Sequence, residues 1–147
     1  MASYDAPELE RWLRQAEAAM VAAAGATETP SWACFLYEQA AQLALKGLLH
    51  SVGEQEAAWG HDLVLLERRV AGIFGADWPA ALAEPAARLG RHYIPARYPD
   101  AHVSGAPDEH YTSGDAEAAT ADARAALEAV EVVVGLLARA EEEHGHG

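Results

Sequence analysis

The stretch from Thr29 to Val52 constrains the fold more than any other part of the chain. Thr29-Pro30 reads as a helix start, with Thr as the N-cap. Pro then takes the first helical position, where its missing N–H would have had no partner. Gly53 ends the stretch. Wound as a helix, the segment is apolar nearly all round. Leu36, Ala40, Leu43 and Gly47 lie on one side, and Cys34, Tyr37, Ala41, Ala44 and Leu48 on the other. A helix without a wide polar face needs neighbours on several sides, so this one is expected at the centre of a bundle. Its polar stripe is narrow: Gln39, Gln42 and Lys46. These residues either face a dimer cleft or satisfy polar groups in the core. The core placement is preferred, because the Lys46 stem can snorkel outward.

Four further helical stretches surround that segment, and no strand pattern competes with them. The first spans about Pro7–Ala24, with Leu9, Trp12, Ala16, Met20 and Ala23 at three-and-four spacing. A third spans Asp62–Phe74 on the seam Leu63, Leu66, Val70 and Ile73. His61 is expected to cap that helix or pack at its end. The fourth is less regular. Asp77-Trp78-Pro79 starts a turn, Pro85 forces a kink or restart, and helix follows over about Glu84–Tyr93. Ile94–Thr112 holds Pro95, Pro99, Gly105 and Pro107, which make it a long loop; loops of that length are often functional. The last helix starts at Ser113, behind a Thr112-x-x-Asp115 capping box, and runs to about Ala140. The fold class is therefore all-α, an antiparallel up-down bundle of four to five helices in one domain, residues 1–140. Residues 141–147 are expected to form a polar, disordered tail.

Composition narrows the function classes. The chain has 147 residues and a formal charge of −13, which argues against a general coat for nucleic acid or anionic membrane. That charge is uneven: residues 68–99 carry five basic groups against two acidic ones, half of all the basic side chains. Cys34 is the single cysteine, so neither an intrachain disulfide nor a cysteine-based zinc site is available. His144 and His146 alternate in the tail, where solvation is the preferred reading and no metal site is expected. No apolar run approaches the ~20 residues of a membrane span. The N-terminus is acidic, unlike a secretory signal. A cytoplasmic location is expected, and the excess of alanine and arginine over lysine suggests a GC-rich bacterial source. No phosphate loop, nucleophile elbow or zinc-helix motif is present, and no cofactor is expected.

The segment Arg88–His102 carries the remaining chemistry: Arg88, Arg91, Arg97, His92 and His102 beside Tyr93 and Tyr98, with Asp100 the one acid. Arginine forks grip phosphate while aromatic rings stack on bases. Arg88, Arg91, Arg97 and Tyr98 are therefore the candidate nucleotide- or phosphate-binding residues. The plainer alternative is that Arg97 locks the loop against backbone carbonyls or Asp100.

Three motifs in series resemble the HEPN domain family (higher eukaryotes and prokaryotes nucleotide-binding). The helix Cys34–Leu49 is similar to the family's Gln-x-Ala-(Glu/Gln)-x-x-x-Lys-x-Leu-Leu helix. Gly60-His61-Asp62-Leu63-Val64-Leu65-Leu66 resembles its His-x-Leu-x-x-Leu helix start, and Tyr93-Ile94-Pro95-Ala96-Arg97-Tyr98-Pro99-Asp100 its Tyr-x-x-x-Arg-Tyr-Pro-Asp loop. The resemblance covers about residues 8–138. It implies a helical bundle that commonly dimerises, binds a nucleotide or short RNA, and partners a minimal nucleotidyltransferase in toxin–antitoxin pairs. It also implies an alternative. Some members are metal-independent ribonucleases using Arg, four to six residues, then His. Arg97 and His102 fit that spacing and are the catalytic candidates under this alternative.

Overall fold

The computed structural model describes residues 4–145. Five α-helices form an all-α bundle: α1 (Ala6–Gly25), α2 (Pro30–Ser51), α3 (Leu63–Phe74), α4 (Ala83–Gly90) and α5 (Ser113–Gly145). No strand occurs among the described residues. As its all-round apolar surface requires, α2 is central and packs against α1, α3, α4 and α5. Leu45, Leu48 and Leu49 of α2 are fully buried with Leu9, Leu63, Leu66, Leu89, Val130 and Val133. Burial of each such side chain contributes about 2 kcal/mol.

Local signals set the helix starts. The Asp5 carboxylate accepts from the Glu8 N–H and Asp62 from the Leu65 N–H, both at 3.1 Å. Thr112 and Asp115 exchange the two bonds of the expected capping box, at 2.8 and 3.2 Å. The start of α2 differs from expectation. Thr29 occupies the cap position but its side chain makes no capping bond. Asp108 does that work from the long loop instead, accepting from the Ser31 N–H at 3.1 Å and its hydroxyl at 2.9 Å. A carboxylate near the first-turn N–H groups also suits the positive end of the helix dipole.

Two further boundaries move. α4 ends at Gly90, not Tyr93, and tight turns carry the chain on to Tyr98. Pro95 has no N–H to donate, and the turns around it are closed by Tyr93 N–H→Gly90 C=O, Ala96 N–H→His92 C=O and Arg97 N–H→Ile94 C=O. α5 continues to Gly145, so residues 141–145, expected in a disordered tail, prolong the helix. The Tyr4 N–H donates to the Glu141 carboxylate at 3.1 Å, tying the two ends of the chain together. His146 of the expected tail lies outside the described residues. No helix among the described residues is long and apolar enough to cross a membrane.

Candidate functional site

The turns after α4 carry Arg97 to the side of α2. Its guanidinium Cζ lies 4.4 Å from the Phe35 ring centre, 4.5 Å from Tyr93 and 4.9 Å from Tyr98. Nε donates to the Tyr93 carbonyl at 2.8 Å. Among the described residues no carboxylate lies within ion-pair distance of Arg97, and no protein acceptor holds its two Nη groups. A flat cation held by rings on its faces keeps its donor edge for a ligand.

The rings continue on both sides. Trp32 meets Phe35 edge-on at 6.1 Å, Phe35 is tilted on Tyr93 at 6.3 Å, and His61 stacks on Tyr93 at 5.2 Å and 11°. An open groove of about 630 Å³ lies beside this row, lined by His61, Val64, Ala87, Arg91, Tyr93 and Ile94. Arg91 is exposed there and makes no ion pair among the described residues.

Behind the rings, α2 buries a polar network. Glu38 is fully inaccessible. Its carboxylate accepts from Gln39 at 2.8 Å and Gln42 at 2.6 Å. Gln42 also donates to the His61 carbonyl at 3.1 Å, and its amide oxygen lies 3.4 Å from His61 Nδ1. An amide oxygen only accepts, so Nδ1 is the donor in this contact. The preferred core placement thus describes Gln42, while Gln39 and Lys46 remain partly exposed.

Burial pushes the Glu38 carboxyl up from 4.5 to about 7, against the downward pull of Gln42, Gln39, Arg97 and Lys46. Between those pH values the folded chain keeps a proton that the unfolded chain releases. Stability therefore falls as pH rises from about 4.5 to about 7, then levels off. That contribution amounts to about 3 kcal/mol. Urea unfolding across this range should show the decline, and Glu38→Gln, which cannot ionise, should remove it.

The expected site residues separate into two groups. Arg97 and Tyr98 belong to the aromatic row, and Arg91 lines the groove beside Tyr93. Arg88 does not join them: its fork meets Asp122 of α5 at 2.8 and 2.9 Å, with Glu84 at 3.7 Å. His102 donates from Nε2 to the Pro95 carbonyl at 2.7 Å and stacks on His110 at 4.5 Å and 3°. No bond or ring contact among the described residues joins it to Arg97. Asp100 does not pair with Arg97 either. Of the two roles expected for His61, packing at the helix end is the one it takes, since Asp62 caps α3 and His61 stacks on Tyr93. Phe35, Glu38 and His61 are site residues that the motif Arg88–His102 does not reveal. The signal for Phe35 and Glu38 is the shared face of α2, where 35, 38, 39, 42 and 46 fall at three-and-four spacing, whereas His61 lies in the loop before α3.

The HEPN domain model matches residues 9–133. The chain belongs to the HEPN family. Two solved structures agree with this HEPN bundle over nearly their whole length. TT1696 from Thermus thermophilus is 39% identical with a TM-score of 0.76, covering 84% of this chain and 96% of that one. ST0689, an archaeal HEPN homologue, is 32% identical with a TM-score of 0.68, covering 88% and 98%. No curated protein matches this HEPN chain.

Proposed function

We propose that this HEPN domain binds a nucleotide or a short RNA end at the face formed by Arg91, Arg97 and Tyr98. It works as a homodimer and partners a minimal nucleotidyltransferase. The observation that carries the binding reading is the Arg97 guanidinium, clasped by three rings with both Nη groups unclaimed by the described residues. That arrangement suits a phosphate fork with a base stacked beside it. The dimer is supported by Val21 on α1 and Val132 on α5, both largely exposed aliphatics. The nucleotidyltransferase partner is supported by family membership alone.

The ribonuclease alternative with Arg97 and His102 has weaker support. His102 Nε2 is engaged with a backbone carbonyl, which leaves only Nδ1 to take a proton. RNA cleavage by the purified protein in EDTA would favour it.

Arg88 and Arg91 provide the test, because they lie three residues apart and differ in engagement. Titration of 5′-AMP and a 5′-phosphorylated RNA tetranucleotide at fixed salt should show Arg91→Ala binding about tenfold more weakly. Its salt dependence should be shallower by about one released ion. Arg88→Ala should bind as the wild type does and melt at a lower temperature. Equal loss of binding in both variants would contradict this assignment.

A further inference from the structure

The loop between α2 and α3 presents Trp59 to solvent with 82% of its surface exposed. The loop is held firmly. Arg69 on α3 donates from Nη1 to the Ala57 carbonyl at 2.9 Å and the Trp59 carbonyl at 3.0 Å. Gly60 follows at φ +96°, a backbone conformation that other residues adopt only under strain. A cation thus staples a turn whose tip is a bare indole.

Trp59 borders a second groove, of about 330 Å³, with Trp12, Lys46, His50 and His61. Trp12 and His50 form one wall, stacked at 4.8 Å and 14°. Lys46 is half-buried and makes no ion pair among the described residues. His61 also lines the first groove, so the two share this residue. Glu54 and Glu56 are exposed on the same loop as Trp59, which disfavours a long polyanion lying across it.

We infer that the two grooves form one track for single-stranded RNA, in which Trp59 stacks a second base and Lys46 attends the phosphate between the two bases. This inference rests on the binding role proposed for Arg91 and Arg97, and it selects a short RNA end over a free mononucleotide. Each half of the track offers at least one cation and at least one ring, the repeating requirement of a nucleotide chain.

Calorimetric titration of wild type, Trp59→Ala and Arg97→Lys with 5′-AMP and 5′-phosphorylated tetra-adenylate tests it. The wild type should bind the tetranucleotide at least tenfold more tightly than AMP. Trp59→Ala should lose that advantage and keep its affinity for AMP; the exposed position makes misfolding no obstacle. If Trp59→Ala binds the tetranucleotide as the wild type does, while Arg97→Lys weakens it, the second subsite is refuted and the first stands. If the wild type binds neither ligand, both are refuted.

Discussion

Arg97→Ala should reduce nucleotide and RNA affinity at least a hundredfold, the largest binding effect expected of any single substitution in this protein. The substitution removes the donor edge and the cation that Phe35, Tyr93 and Tyr98 hold at 4.4 to 4.9 Å. Hydrogen bonds to a charged group contribute about 1.5–3 kcal/mol each, and a bidentate grip makes two. Arg97→Lys should recover little of this, because an ammonium offers neither the planar fork nor the stacking surface. Folding should suffer less than binding. The variant loses the Nε bond to the Tyr93 carbonyl and the filling between three rings, a loss of about 1–3 kcal/mol. Circular dichroism should report an intact helical bundle with a lower melting temperature. Affinity within threefold of wild type would show that Arg97 only locks the loop, the plainer role its neighbours also permit.

Gly47→Ala should be the most damaging single-methyl change in the fold. Gly47 lies on α2 against Trp12 and Leu9 of α1. A Cβ at that position would stand 2.4 Å from Trp12 Cβ and 3.0 Å from Trp12 Cγ. Trp12 Cβ is fixed to the α1 backbone, and the ring beyond it is stacked on His50 and bonded to Glu8 at 3.0 Å. Relief therefore requires α1 and α2 to separate, which disturbs the buried contacts of Leu9 along the same seam. Helix propensity favours Ala over Gly by about 1 kcal/mol, so steric cost and propensity oppose each other. Overpacking of this kind costs about 1–3 kcal/mol and more where backbone must move. A net loss near 2 kcal/mol is expected in urea unfolding. A gain in stability would mean that α1 is free to shift.

These two residues also mark how far the sequence could be read. Gly47 was visible as part of an apolar surface, and the central place of α2 followed from that surface alone. Its close approach to Trp12 was not visible, because it depends on the crossing of two helices separated by a loop. Arg97 was visible as a candidate from its company of arginines and tyrosines. Phe35, which completes its slot, comes from α2, and nothing local to Arg97 points there. Arg88 shows the opposite limit. Its motif suggested a phosphate ligand, but α5 supplies Asp122 and satisfies the fork internally. The cap on α2 is similar: Thr29-Pro30 marks the right start, while the bond comes from Asp108 in a loop that folds back across the helix end. Periodicity and turn residues thus reveal elements and their faces. Pairings between distant side chains arise only in the packed bundle, and they decide which arginines remain available.

Chemical-shift mapping by nuclear magnetic resonance tests the binding claim most directly. On titration with 5′-phosphorylated tetra-adenylate, shifts should concentrate at Phe35, His61, Arg91, Tyr93, Arg97 and Trp59, with Arg88 and the α1–α5 face around Val21 and Val132 unmoved. Absence of shifts at millimolar ligand, or shifts centred on Arg88 or on Val21 and Val132, would contradict it.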